Sequence, residues 1–328
     1  MRVGCWVHGR GRGHASRMSA VVRALAAEGH EVTVWAGADA RHGVEAFDGV
    51  RLEPIEPVRR GPPLVVDWTR RAVRELARLR TERVEVVLCD GDQPPLLAAR
   101  LLGRPSIAIG HDLVFSTCAL PAGLARASLW CERINHAPAH LAHARVAVHF
   151  LPVSPRVRGV RVARPDVRAD LRGPVADDGF VLGYFRDDDG EDVVRMLRAR
   201  GVTPIVFGAR RAGSQARPFD RAAFAEHLRR AHAVVTSAGS NVLFECVLLG
   251  KPVLALHRRG DHEQALNAAL VARAEVGCAG RFESLTERDI ARFLDRARRR
   301  DFARVDVERL LPPLTHVVLE TLRDVAAR

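Results

Sequence analysis

The run Ser237-Ala238-Gly239-Ser240-Asn241 follows an apolar stretch from Ala233 to Thr236, and Glu245 stands four residues beyond Asn241. Small residues directly after a buried strand let backbone N–H groups approach a ligand closely, and a helix that starts there aims the positive end of its dipole at an anion. Phosphate is the natural occupant of such a turn. Glu245 points from the same helix face past the phosphate, where a carboxylate can accept two hydrogen bonds from a ribose diol. Beyond Gly250-Lys251-Pro252 and a second apolar strand come Asp261-His262-Glu263-Gln264 and Asn267, polar heads at the opening of another helix that suit a sugar's hydroxyls. In this order the residues describe a site for a nucleoside diphosphate joined to a sugar.

A second cluster lies near the N-terminus, where a short apolar strand over residues 1–7 runs into Gly9-Arg10-Gly11-Arg12-Gly13-His14-Ala15-Ser16-Arg17, a glycine-rich turn entering a helix. An imidazole that titrates near neutrality can strip the proton from a hydroxyl as it attacks an anomeric carbon, which makes His14 the candidate general base. Such a base wants an orienting carboxylate on its other nitrogen. The plainer alternative is a loop histidine, one of 14, that only caps its helix. Gly11 and Gly13 bring backbone close to phosphate or acceptor, and Arg17 either faces the same groups or is a surface charge.

Residues so far apart can meet only if elements carry them to one edge of a sheet, and the chain alternates strand and helix as a doubly wound α/β sheet requires. Ser16 to Glu28 carries Met18, Val21, Val22 and Leu25 at helical spacing and stops at Gly29, before a strand from Glu31 to Ala36. Strands at Val84 to Cys89 and Ser106 to Ile109 leave Asp90 and Asp112 just past strand ends, where ligands bind in open α/β sheets. Residues 156–178, rich in proline, arginine and valine without a period, read as a linker. That divides the chain into 1–155, the linker, 179–310, and a final helical segment, 311–328. In the second half, Gly183 in the strand from Phe180 to Tyr184 and Gly208 at the end of the next are assigned to the donor side. The segment from Phe115 to Pro138, with Leu124 and Trp130, reads as acceptor loops.

The stretch from Ala231 to Gly277 resembles the donor-binding half of glycosyltransferases of the MurG and UDP-glucuronosyltransferase type: a small-residue turn, a helical Glu, a Gly-x-Pro, and an acidic-Gln pair followed by Asn-Ala. The Gly-x-Gly-His segment ending at His14, with Arg17 three residues on, is similar to the N-terminal loop of the same family. The resemblance implies the GT-B architecture, two Rossmann-like doubly wound domains facing across a cleft, with a last helix that crosses back to the first. It implies an inverting, metal-independent glycosyltransferase that takes a UDP- or dTDP-sugar as donor and a hydroxyl-bearing acceptor, a natural product or a lipid-linked molecule. It also gives Asp90 the place of the carboxylate that orients the base, with Asp92 and Asp112 as neighbours able to substitute. Ser237 departs from the pattern, since many members carry histidine there, and Glu263 stands where several have Asp or Gln. A hydrolase of the same fold and a nucleotide-sugar-binding subunit without chemistry remain as alternatives.

No cofactor or metal is expected. Asp90-Gly91-Asp92 has the spelling of a metal-binding Asp-x-Asp but lies in the acceptor half, and Asp187-Asp188-Asp189 reads as a solvated turn capping a helix. Gly9-x-Gly11-x-Gly13 lacks the spacing of a nicotinamide fingerprint. A net charge of +12 invites nucleic acid as a partner, but Lys251 is the only lysine, the arginines are dispersed, and aromatics make up 5% of the chain, with Tyr184 the only tyrosine. Weak peripheral association with anionic lipid is the better use for Arg70-Arg71, Arg78-Arg80-Arg83 and Arg296-Arg298-Arg299-Arg300, although solvated helix faces explain these clusters more simply. The six cysteines form no close pairs, no charged, apolar leader precedes the first strand, and no apolar run reaches the roughly 18 residues of a membrane span. These features give the expectation of a cytoplasmic protein, at most peripheral at the inner face of a membrane.

Overall fold

The computed structural model describes residues 1–9, 12–37, 40, 50–55, 64–185, 190–208 and 216–327. The first half runs β1 (Arg2–Val7), α1 (Arg12–Ala27), β2 (Glu31–Ala36), β3 (Val50–Pro54), α2 (Leu64–Thr81), β4 (Val86–Asp90), α3 (Pro94–Leu101), β5 (Ser106–Gly110), α4 (Leu113–Thr117), α5 (Arg126–Asn135), β6 (Ala144–Val148) and β7 (Val160–Ala163). The second runs β8 (Val181–Phe185), α6 (Gly190–Ala199), β9 (Ile205–Gly208), α7 (Arg221–Arg230), β10 (Ala233–Ser237), α8 (Ser240–Leu248), β11 (Val253–His257), α9 (His262–Arg273), β12 (Gly277–Arg281), α10 (Glu287–Arg298), α11 (Val307–Leu310) and α12 (Leu314–Ala326). The strands form two sheets, in the orders β3-β2-β1-β4-β5-β6-β7 and β12-β11-β10-β8-β9. Every neighbouring pair is parallel. Helices cover both faces, and β4, β5 and β10 are accordingly buried along their whole length.

Both sheets reverse direction inside. In the first, β1 and β4 are neighbours; in the second, β8 and β10 are. Loops leaving the C-terminal ends of such a pair diverge and open a crevice, and in this protein those loops carry His14, Asp90 and the Ser237 turn.

The connection between the halves is shorter than residues 156–178. Within that span β7 pairs with β6 and completes the first sheet, and the crossing begins at Arg164. Arg164 N–H donates to the Pro312 carbonyl and Leu314 N–H to the Arg164 carbonyl, both at 2.9 Å, so the outgoing and returning chains lie side by side. α12 then packs Leu314, Val317, Val318, Leu322 and Val325 into the core that α1 shares with β1, β2 and β4. The lone lysine pins the crossing segment to the second half, Lys251 Nζ donating to the carbonyls of Ala176 at 2.6 Å and Ala231 at 2.7 Å.

Phe115, Leu124, Phe150 and Leu151 of the first half join the same apolar cluster as Leu182, Val234, Leu266 and Leu270 of the second. Leu124 is therefore core, not an acceptor-loop side chain, while Trp130 on α5 is exposed. The segment read as acceptor loops holds α4 and α5. The edge strand β12, Gly-Cys-Ala-Gly-Arg, has little strand propensity. It forms by parallel pairing with β11, and glycine is required at Gly277, where a Cβ would lie 2.1 Å from the Val253 carbonyl oxygen. Among the described residues no helix is long and apolar enough to cross a membrane.

Candidate functional site

Val7 of β1 pairs with Asp90, the last residue of β4, so the helix that follows β1 starts directly above that carboxylate. His14 lies in the first turn of α1, with Nδ1 3.0 Å from Asp90 Oδ1. Arg17, one turn on, clamps the same carboxylate, Nη2 donating to Oδ1 at 2.6 Å and Nε to Oδ2 at 2.9 Å. Burial by itself would raise the Asp90 pKa, but Arg17 and His14 outweigh it and bring the group down to about 2. With the proton on Nδ1, ionised Asp90 accepts it and the lone pair is left on Nε2; Arg17 Nη2 lies 3.1 Å from the same Nδ1. Arg17, read as either facing phosphate or acceptor or being a surface charge, is not a surface charge: it is buried and clamped on Asp90. Gly91 completes the nest: its φ is +72°, and a Cβ there would sit 2.8 Å from His14 Cε1. His8, absent from the sequence expectations, meets the His14 ring edge-on at 5.5 Å.

The Asp-x-Asp spelling splits in two. Asp92 accepts from Arg71 Nη2 at 2.9 Å, and Arg71 also bonds Glu75, whose other oxygen takes the Trp6 indole N–H at 2.9 Å. Asp90 and Asp92 thus face different cations and share no site. Arg71, grouped by sequence with solvated arginines, is buried.

Across the cleft, the N-cap of α8 is Gly239, with no side-chain cap bond, and a Cβ added there would meet nothing within 4 Å. The first N–H groups of α8, those of Ser240 and Asn241 among them, lack intrahelical partners at this open end. A Cβ on Gly13 would lie 3.5 Å from Asn241 Nδ2, so the starts of α1 and α8 face each other. Ser237 is buried at the end of β10. Beside this junction a cavity of about 320 Å³ is lined by Arg17, Arg23, Arg168, Arg221, Asn241 and Glu245 among others. Burial raises the Glu245 pKa to about 7, with Asp170 adding to the rise and Arg168 and Arg221 opposing it. The crossing segment supplies a partner that the sequence did not reveal: Arg168 Nη2 stands 3.2 Å from Glu245 Oε1. Arg168 Nε and Nη2 and Asp170 Oδ1 are nevertheless buried without a well-formed hydrogen bond.

At the start of α9, Asp261 caps the helix by accepting from Gln264 N–H at 3.0 Å. Burial, with Asp112, Asp261 and Glu132 nearby, pushes Glu263 well above the usual carboxylate range, while Arg17 pulls the other way. Asp112 does not touch His14; its partner is His136 Nε2 at 3.3 Å, which also lies 3.5 Å from Glu132. Asp112, Glu132 and His136 form a cluster with donor atoms within 4.8 Å of one another, close enough to hold a metal ion.

Three donor-side expectations fail on packing. Gly183 is mid-strand, its missing side chain aimed at Val206 and Phe185 at 3.1 to 3.6 Å, inside the core and away from the cleft. Gly208 has φ +127°, and a Cβ there would lie 2.0 Å from the Phe185 carbonyl oxygen; it serves contact between β8 and β9. Asn267 is fully buried, out of reach of a sugar: Nδ2 donates to the Ala238 carbonyl at 3.0 Å and Oδ1 faces His111 Nε2 at 2.7 Å. Gly11 and Asp187-Asp188-Asp189 lie outside the described residues. His111 was missed because its partner lies in the other half, and Arg168 because the connection between the halves delivers it to Glu245; the position of His111 directly after the β5 strand was the one signal available.

The sequence profile described as glycosyl transferase family 1 matches residues 1–297. No curated protein matches significantly. Among solved structures, the chain is similar to MurG of Acinetobacter baumannii (15% identity, covering 99% of this chain and 100% of that one, TM-score 0.69). It is also similar to the glycosyltransferase VinC in complex with dTDP (15%, all of both chains, TM-score 0.65), and to the spinosyn rhamnosyltransferase SpnG (15%, covering 98% and 100%, TM-score 0.65). At these identities the likeness establishes the fold: two doubly wound domains of the GT-B kind.

Proposed function

This chain belongs to glycosyl transferase family 1, and from that premise we propose that it moves a sugar from a UDP- or dTDP-linked donor to a hydroxyl-bearing acceptor by a metal-independent, inverting displacement. The observation that carries this reading is the meeting of the two helix starts, where His14 and its Asp90 partner stand opposite the open end of α8. His14 Nε2 takes the acceptor's proton as its oxygen attacks the anomeric carbon, and the diphosphate departs from the opposite face with the bonding pair. One displacement inverts the centre. Asp90 stabilises the imidazolium that forms.

The departing charge is met by the N–H groups at Ser240 and Asn241 and by the α8 dipole, donors fixed before the reaction begins. Glu245 accepts from the ribose hydroxyls, and Arg168, released from Glu245 by that exchange, turns its unsatisfied nitrogens to phosphate. Glu263 and Gln264 present polar groups to the sugar. VinC is solved with dTDP, and other similar structures include the calicheamicin glycosyltransferase CalG4; these support a dTDP-sugar as donor and a natural product as acceptor.

The test is calorimetric titration of UDP, dTDP, GDP and ADP into the protein, repeated with Glu245→Ala and Gly239→Val. Undiminished affinity in both variants would remove the site. Efficient release of free sugar without acceptor would indicate a hydrolase, and binding without product under any acceptor a non-catalytic subunit. Turnover that survives exhaustive chelation supports metal independence; its loss would point to Asp112, Glu132 and His136.

A further inference from the structure

Transfer places groups from both halves on one reacting centre, since His14 belongs to the first sheet and the α8 turn to the second. Reacting atoms must approach to about 3–3.5 Å, so the relative position of the halves is part of the chemistry. Much of their contact is apolar, made by Phe115, Leu124 and Phe150 against the second half's core. Apolar contact is non-directional and fixes no single register.

One buried hydrogen bond does. His111, at the C-terminal edge of β5, is 3% exposed, and Asn267 on α9 is 0% exposed. Nε2 of His111 lies 2.7 Å from Oδ1 of Asn267, and with the ring proton on Nε2 the histidine donates to that oxygen. The amide orientation is set by its other arm, because the Ala238 carbonyl can only accept and so takes Nδ2–H at 3.0 Å. Ala238 immediately precedes Gly239, the N-cap of α8, so the bond reaches the backbone of the anion turn itself. On the other side, His111 Nδ1 lies 3.0 Å from the Val148 carbonyl oxygen at the end of β6. The ring is wedged between His149, stacked at 5.1 Å, and Phe115, edge-on at 5.6 Å. Sliding the halves would leave two buried polar groups unpaired, and such groups are costly to strand.

We propose that His111 and Asn267 form a bolt across the cleft that sets the anion turn at transfer distance from His14, acting as positioning residues for the reaction. This rests on the transferase reading, and the experiment separates the two. His111→Phe fills the same aromatic slot without the donor; His111→Gln restores a donor toward Asn267. At saturating donor, His111→Phe should lower kcat by about tenfold to a hundredfold, while calorimetric affinity for UDP or dTDP stays within about threefold, because the nucleotide's ligands lie on the second half and the crossing segment. His111→Gln should recover most of the lost kcat. Small-angle scattering with nucleotide bound should show a wider separation of the halves in His111→Phe than in the wild type or His111→Gln. Unchanged kcat and unchanged scattering in His111→Phe would overturn the proposal. Equal losses of affinity and turnover in both variants would overturn it too, marking a merely structural contact. If the wild type transfers no sugar, the transferase reading fails, and the scattering comparison still decides the bolt.

Discussion

His14, Asp90 and Arg17 act as a unit because Asp90 is shared. Arg17 holds the carboxylate ionised at depth, the carboxylate holds the His14 proton on Nδ1, and the reactive lone pair is left on Nε2. His14→Ala should leave nucleotide binding intact and cut turnover by about two to four orders of magnitude, seen by comparing calorimetry with initial rates. Asp90→Asn is a different experiment, since it leaves the buried Arg17 cation uncompensated. Removing one member of a buried pair costs on the order of 3–5 kcal/mol, so the urea midpoint should fall along with the rate. The folded-state pKa of Asp90 is depressed to about 2. Its stabilisation is therefore fully present above the ordinary carboxylate pKa near 4 and drains away as pH falls from there toward 2. Urea unfolding between pH 2 and 5 should show that slope in the wild type, and Asp90→Asn should lack its share of it.

At the scale of elements, α8 and the crossing segment together line the cavity proposed to take the donor. Glu245 is supplied by the second turn of α8, but its carboxyl is held by Arg168, which the connection between the halves delivers. With the Glu245 pKa raised to about 7, the carboxyl is protonated below that pH, and a ribose diol that needs the ionised form must expel a proton on binding. Donor affinity should therefore weaken by about tenfold for each pH unit below about 7 and level off above it. Calorimetry from pH 5.5 to 8 checks this, and Glu245→Gln should bind weakly with no such slope. β7 and β12 show how elements escape a reading by propensity. β7 is four residues inside an arginine- and proline-rich stretch, stabilised by pairing with β6, and β12 is glycine-rich because its neighbour's backbone comes too close for a side chain.

At the scale of the molecule, the halves are joined by two crossings and by a shared apolar cluster. The returning crossing ends in α12, whose Leu314, Val317, Val318, Leu322 and Val325 are buried with β1, β2 and β4. Fully burying such side chains stabilises by about 1.5–3 kcal/mol each, so the first sheet depends on the last helix of the chain. Truncation after Leu311 should abolish cooperative unfolding of the first half, which near-ultraviolet circular dichroism of Trp6 and Trp35, stacked at 4.3 Å in that half, would report.

The residues by themselves carried the alternation of strand and helix, the small-residue turn before α8 and the placement of Asp90 past a strand end, while the family resemblance supplied the two facing domains and the pairing of Asp90 with His14. The features read from the residues are local: apolar period, glycine at a strand end, a polar head on a helix start. Tertiary structure alone decided which polar groups remain free. Asn267 and Arg17 have the right types for ligands, but His111, Ala238 and Asp90 take up their hydrogen bonds across distances in sequence from 29 to 156 residues. Gly183 and Gly208 sit at strand positions that look accessible until β9 packs against β8. A hydrogen bond saturates its donor and acceptor, so a residue's availability to a ligand depends on every neighbour it meets, and only the folded chain fixes who those neighbours are.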